Sequence, residues 1–327
     1  MKALVYTAPN SLEYRDVPDP DPGDNALVRV AHVGICGSDM HAWAGHDARR
    51  PAPLILGHEV AGSVVLGPMA GQRVTVNPLV SCGVCRACTS GQENLCPHRQ
   101  IISMPPREGG FAELLAMPAR NLTPIPDHID TCVAALTEPI ACGWHAVKLA
   151  DKVLGAVGPD TACLVQGGGA IGLGAALVLR HRGVRALHVA EPHAERRAVI
   201  TAEGVEAFDP TSETGPLGVD LVIDGVGISA TRASACAAVR PGGVIVHIGL
   251  GGSDEGLDIR RMTLQEIAFI GSYTYSRSDF AETAEAIFQG HLGRLSWPEV
   301  RPLAEGAGAF ADIAGGRATA PKIVLEP

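Results

Sequence analysis

Four cysteines, Cys82, Cys85, Cys88 and Cys96, lie within one short stretch as two overlapping C-x-x-C steps and a fourth thiol after a turn. Four soft donors at this spacing fit a tetrahedral Zn²⁺ site. Such a site is coordinatively closed and leaves no position for a substrate. Reactive chemistry must lie elsewhere, and a second set of donors occurs upstream and downstream: Cys36 in Gly34-Ile35-Cys36-Gly37-Ser38-Asp39-Met40-His41, His58 and Glu59 in Gly57-His58-Glu59, and Glu138 before Pro139. Mixed sulfur, nitrogen and oxygen ligands suit a catalytic zinc, which keeps three protein ligands and one open position. Taken singly, a buried Cys or a structural His is the plainer reading of these residues, and spacing alone does not bring the segments together.

A third pattern is Gly167-Gly168-Gly169-Ala170-Ile171-Gly172, a G-x-G-x-x-G turn between an apolar run and a helical stretch. Gly167 permits the tight turn, Gly169 a close approach of a pyrophosphate, and Gly172 the packing of helix on strand. The helix N-terminus offers free N–H groups to phosphates. Glu191 ends the next apolar run. A carboxylate there accepts hydrogen bonds from both ribose hydroxyls and repels a 2′-phosphate, favouring NAD over NADP. Arg196 and Arg197 qualify that preference, since an Arg nearby accepts a phosphate; Arg196 equally fits a place over the adenine or a pairing with Glu191.

These residues need a scaffold. The first 140 or so residues carry short alternating runs, such as residues 27–33 and 73–76, closely punctuated by Pro and Gly, which predicts a compact β domain with long loops. From about residue 142 fully apolar runs (162–166, 186–190, 219–224, 244–248) alternate with helical stretches (171–182, 194–203), which predicts a parallel sheet covered on both faces. After Ile270 the rhythm stops. A helix over 280–289 and a strand over 322–325 are expected to pack back on the N-terminal domain. Residues 16–23 read as a solvated turn. The apolar stretch 163–179 is broken by glycines and reads as turn plus helix, not a membrane span.

The 327-residue chain is 46% hydrophobic and 19% charged with a formal net charge of −9, so neither a nucleic-acid nor an anionic-membrane role has electrostatic support. Nine cysteines make no tidy disulfide framework. Metal plus free thiols points to a reducing cytosol, and the N-terminus reads as a strand, not a signal peptide. Cys132, Cys142, Cys163 and Cys236 read as small apolar core residues, and Cys142, Trp144 and His145 as core at helical spacing.

The order of the motifs, together with Gly109-Gly110-Phe111-Ala112-Glu113, resembles zinc-containing medium-chain dehydrogenase/reductases of the alcohol dehydrogenase superfamily, in particular their polyol branch (sorbitol, threonine and butanediol dehydrogenases). The resemblance implies an α/β protein. A GroES-like β-rich catalytic domain would span 1–141 and 272–327, with a structural zinc lobe at 82–96, and a Rossmann doubly wound parallel sheet would span 142–271. It implies two Zn²⁺ per chain and NAD, with Cys36 and His58 as catalytic zinc ligands and Glu59 and Glu138 sharing the remaining coordination. It implies Ser38 and His41 as a proton relay, Glu191 and Arg196 at the adenosine ribose, and Ile248-Gly249-Leu250 along the nicotinamide. The implied reaction is hydride transfer from a secondary alcohol, diol or sugar alcohol to NAD, giving a ketone. Threonine- or butanediol-dehydrogenase activity, or an NADP-linked carbonyl reductase, is the alternative. The expected partner is a small-molecule alcohol, with neither nucleic acid nor membrane, in a cytoplasmic homotetramer or homodimer.

Three departures bear on substrate. Sorbitol dehydrogenases carry Tyr after the relay His where this chain has Ala42, and an Arg-Tyr pair where it has Thr274 and Tyr275, so a charged hydrogen-bonding clamp is missing. The connection before Gly71-Gln72-Arg73-Val74 is also short. A zinc-free reductase and a non-enzymatic zinc protein are the competing readings; the donor and relay residues speak against both.

Overall fold

Residues 1–252 and 254–327 are described by a computed structural model. The chain divides into two compact units, one of Met1–Glu138, Ser276–Gly290 and Leu295–Pro327, the other of Pro139–Tyr275 and His291–Arg294.

In the first unit the alternating run becomes the strand Ala26–Gly34, with Val28, Val30 and Val33 inward and Arg29 outward. It lies at the centre of a seven-stranded sheet, paired antiparallel with Glu59–Leu66, Leu114–Met117 and the final strand Lys322–Glu326. Strict alternation fails between Val30 and Val33 because a bulge interrupts the pairing there, with Val30 opposite Gly62 and His32 opposite Ala61. A bulge re-aims the residues that follow it. Here they lead to Cys36, while Glu59 sits directly opposite Gly34. The C-terminal strand does return to this sheet, against Val33 and Gly34. The core is aliphatic around Phe111 and Phe310, whose rings meet edge to face at 5.8 Å.

The second unit holds six parallel strands in the order Glu206–Phe208, Leu187–Ala190, Cys163–Gln166, Val219–Asp224, Val239–His247, Ala268–Gly271. The order reverses direction after the first strand of the unit, the doubly wound arrangement. The strand expected over 244–248 starts earlier, at Val239, which pairs with Val219. The helix expected over 280–289 runs Arg277–Phe288 because Ser276 caps it: Ser276 Oγ accepts from Asp279 N, and Asp279 Oδ2 accepts from Ser276 N at 3.0 Å. His291–Arg294 leave the first unit, and His291 stacks on His181 with ring centroids 5.1 Å apart. Among the described residues no helix is long and apolar enough to cross a membrane.

Candidate metal and cofactor sites

Cys36 immediately precedes the helix Gly37–Trp43, and Asp39 in its first turn accepts the Cys36 N–H at 3.0 Å, fixing the start of the helix. The other Asp39 oxygen accepts from Gly57 N at 3.2 Å and lies 3.4 Å from His58 Nδ1. One fully buried carboxylate therefore ties the Cys36 turn to the His58 turn. Gly57 has φ +90°, and a Cβ there would stand 2.6 Å from the Phe111 ring, so only glycine turns the chain into His58 at this point. The Gly109-Gly110-Phe111 motif supports that turn from below: its N–H groups donate to Ile55, Gly57 and Leu56 carbonyls at 2.8–3.0 Å.

The result is a cluster in which one donor atom each of Cys36, His58 and Glu59 lies within 4.8 Å of the others. His58 and Glu59 are buried, Cys36 half-buried. Glu138, in the first turn of the helix Thr137–Leu154, is also buried but lies outside that group of three. Burial opposes protonation of His58, yet the Asp39 and Cys36 charges outweigh it and hold the imidazole well above its ordinary range. Glu59 Oε1 accepts from Lys322 Nζ at 2.6 Å, while Glu59 Oε2 is buried without a hydrogen-bond partner. An orphaned oxygen on a carboxylate that belongs to a thiol–imidazole cluster is what a cation would satisfy.

Ser38 and His41 are half-buried, three residues apart on the helix Gly37–Trp43 and hence on one face. The Ser38 carbonyl accepts from the buried Arg50 at 2.9 Å. Arg50 also donates to the Ser103 carbonyl at 3.0 Å, and Ser103 Oγ stands 3.5 Å from His58 Nδ1. Sequence reasoning overlooked Arg50, Ser103, Lys322 and the bridging role of Asp39. A lysine heading the buried strand Lys322-Ile323-Val324-Leu325 was the one visible signal. Ala42 is fully buried, as is Tyr275, and Thr274 has φ +48°.

In the cysteine lobe the sulfurs of Cys85 and Cys88, Cys82 and Cys96, and Cys82 and Cys88 are 3.5, 3.6 and 3.9 Å apart, all as free thiols. Zn–S bonds of about 2.3 Å at tetrahedral angles put sulfurs about 3.8 Å apart, so the donor set fits zinc without rearrangement.

In the second unit the glycine turn follows Cys163–Gln166 and opens the helix Ala170–His181. Gly167 has φ +91°; a Cβ on Gly172 would fall 1.8 Å from the Gly167 carbonyl oxygen, whereas one on Gly169 would meet nothing within 4 Å. That is a cradle with open space over the middle glycine and a helix N-terminus behind it, which fits a pyrophosphate. Glu191 is buried, and its carboxylate accepts from Gly168 N at 2.7 Å and His193 N at 2.8 Å. Arg197 braces this corner: it donates to the Glu191 and Pro192 carbonyls at 2.8 and 2.6 Å. Ile248 and Gly249 donate their N–H groups to the Asp224 carbonyl, and Leu250 is exposed. Two features were missed here: Asp224, whose side chain accepts from Val226, Gly227 and Thr231, and Arg232, a buried guanidinium spent on the carbonyls of Gly227, Gly252, Asp254 and Glu255.

Residues 22–127 match the family model of the alcohol dehydrogenase GroES-like domain, and residues 170–289 that of zinc-binding dehydrogenases. The chain is 34% identical over 308 residues to L-galactonate-5-dehydrogenase of Escherichia coli K12, covering 89% of this chain and 88% of the relative. A zinc-binding dehydrogenase from Sinorhizobium meliloti bound to NADP superposes with a TM-score of 0.89 at 28% identity over 100% of this chain and 99% of that one. A short chain alcohol dehydrogenase from Escherichia coli CFT073 in complex with NADH gives a TM-score of 0.90 at 25% identity over 100% and 99%.

Proposed function

This chain belongs to the zinc-containing medium-chain dehydrogenase/reductase family of oxidoreductases, and from that premise we propose that it oxidises a secondary alcohol of a small polyhydroxylated substrate (a sugar alcohol, sugar acid or diol) with NAD⁺ at the Cys36–His58–Glu59 cluster. The observation that carries this reading is the convergence of those three donors within 4.8 Å, one of them a buried carboxylate with an oxygen that has no hydrogen-bond partner.

A zinc ion there supplies the Lewis acidity that lowers the pKa of an alcohol oxygen, and bound NAD⁺ supplies the hydride acceptor. Cys36 and His58 would hold the metal, with Glu59 and Glu138 as the exchangeable carboxylates. Asp39 keeps the His58 ring in place through Nδ1. Lys322 neutralises Glu59 and limits how far it swings. Ser38 Oγ would accept the alcohol proton while passing its own on toward His41, whose imidazole delivers it to water. On the second unit, the N–H groups opening the helix at Ala170 and Ile171 hold the pyrophosphate. Glu191 receives the ribose hydroxyls on lone pairs not used by Gly168 and His193, and its charge disfavours a 2′-phosphate. Arg196 borders the same ribose, and Ile248-Gly249-Leu250 the nicotinamide. Cys82, Cys85, Cys88 and Cys96 would hold a structural zinc, which, with none of the nine cysteines in a disulfide, suits a reducing cytoplasm. Like many oxidoreductases of this architecture it would work as a homotetramer or homodimer.

The test is a panel of sugar acids, polyols, diols and hydroxy-amino acids read by NADH absorbance, repeated with NADP⁺ and paired with metal analysis. Turnover of a secondary alcohol with NAD⁺ is expected, with zinc at the Cys36 cluster and in the four-cysteine lobe. Full activity in metal-stripped protein overturns the assignment of the cluster.

A further inference from the structure

Cys132 is not the plain core residue its sequence context suggests. It is half-buried, and its sulfur, a His32 ring nitrogen and an Asp130 carboxylate oxygen lie within 4.8 Å of one another. These residues come from distant parts of the first unit. His32 follows the bulge in the strand Ala26–Gly34, Asp130 caps the helix Thr131–Ala135 with an oxygen that accepts from Cys132 N at 2.7 Å, and Cys132 stands in that helix's first turn. The His32 ring is already oriented, because Nδ1 and Thr131 Oγ1 share a 2.8 Å hydrogen bond.

The charge around the cluster is unbalanced. Asp130 and Glu326, the latter ending the last strand, both act on His32 and on Cys132. Among the described residues neither carboxylate is paired with a lysine or arginine. Burial first, then these two negative charges, push the Cys132 thiol up to about 11. Asp130 is exposed while His32 and Cys132 are half-buried, so the three donors meet where an ion can reach them from solvent. One sulfur, one nitrogen and one or two oxygens are the mixed, borderline-soft donors of zinc-like ions, not of Mg²⁺ or Ca²⁺.

We propose that His32, Asp130 and Cys132 form a third divalent-metal site for a thiophilic ion of the Zn²⁺ or Co²⁺ type. An ion there would cross-link the central strand to the helix that leads toward Glu138.

Equilibrium dialysis of the full chain against Zn²⁺ tests this. The count is taken as wild type minus variant, so it does not depend on how many ions the other two clusters hold. Cys132→Ser and Asp130→Asn are compared, the second because Asn caps a helix as well as Asp does and so keeps the fold. Each is expected to bind one ion fewer than wild type. In wild type, iodoacetamide labelling of Cys132, read by peptide mass spectrometry, is expected to slow at least tenfold when Zn²⁺ is present. Equal metal counts in wild type and Asp130→Asn, or labelling of Cys132 that Zn²⁺ leaves unchanged, overturn the proposal.

Discussion

Lys322 Nζ lies 2.6 Å from Glu59 Oε1 with both side chains shut off from solvent, and the same ammonium donates to the Ile35 carbonyl at 2.8 Å, one residue before Cys36. Burial alone would discharge this lysine. The Glu59, Cys36 and Glu138 charges outweigh burial and raise its pKa, so it stays an ammonium. It is the counter-ion of the whole donor cluster, delivered by the strand that closes the sheet. Breaking a buried pair by removing one partner costs about 3–5 kcal/mol. Lys322→Met is therefore expected to destabilise strongly after chelation, and less with zinc bound, because the metal then compensates Glu59. Denaturant melts with and without zinc check this; equal losses in both states would show that Glu59 does not feel the ion.

Cys36→Ser and Cys88→Ser are expected to fail differently. Losing a ligand to a Lewis-acid metal removes several kcal/mol of barrier lowering, so Cys36→Ser should lose on the order of 10³-fold in kcat while its melting temperature changes little. Cys88→Ser breaks the closed four-sulfur lobe and should lower the melting temperature by several degrees with the chemistry of the folded fraction intact. Zinc content, melting temperature and kcat measured on the same preparations separate the two.

The lobe also predicts an order of thiol reactivity. The N–H groups of Val84 and Cys85 stabilise the Cys82 thiolate and bring its pKa to about 6. At Cys85 the Cys88 N–H pulls the other way, but desolvation and the three neighbouring thiols win and push it up to about 11. After chelation at pH 7, iodoacetamide should label Cys82 before Cys85, as mapped by mass spectrometry. The reverse order would mean that the sulfurs rearrange once metal is gone.

Among the described residues Arg50 bonds to no metal donor, yet it joins the Ser38 carbonyl to the Ser103 carbonyl and is held by Asp47 at 3.3 Å. Outer contacts of this kind are worth about 10–100-fold in activity or metal affinity. Arg50→Ala is expected to lower kcat/KM for the alcohol by that factor and leave the KM for NAD⁺ unchanged. Arg50→Lys should recover only the bond to one carbonyl. A fall in stability with unaltered kcat/KM would make Arg50 a packing residue and nothing more.

What the sequence revealed and what it hid divide along physical lines. Periodicity exposed four of the six parallel strands, since apolar runs bounded by glycine have few other solutions, whereas the short outermost strands Glu206–Phe208 and Ala268–Gly271 carry too few apolar residues to show a period. Gly167, with one tolerable geometry, announced its turn, whereas the turn that Gly57 makes before His58 shows only once Phe111 packs against it. The bulge at Ala31 was invisible because it depends on the partner strand, and so was the detour of His291–Arg294 into the second unit. Lys322 and Glu59 are 263 residues apart, and their pairing exists only once the last strand has returned. Cys132 read as core because a lone cysteine in an apolar helix usually is; its neighbours His32 and Glu326 arrive through the same sheet closure.

Glu191 offers the sharpest test of the cofactor assignment, because its carboxylate already has two structural bonds, to the amides of Gly168 and His193. Removing it in Glu191→Ala does two things at once. It deletes the negative charge that repels a 2′-phosphate, and it releases two N–H groups that then point toward the place an anion would take. Both effects act in one direction, so the NADP⁺/NAD⁺ ratio of kcat/KM is expected to rise by at least about tenfold, each factor of ten being 1.36 kcal/mol. The freed amides cost about 1–3 kcal/mol of stability in the absence of cofactor. NADP⁺ should therefore protect the variant against thermal unfolding more than it protects wild type. If the ratio stays put while stability falls, Glu191 is a brace for the glycine turn, and discrimination against the phosphate resides in another residue of that corner.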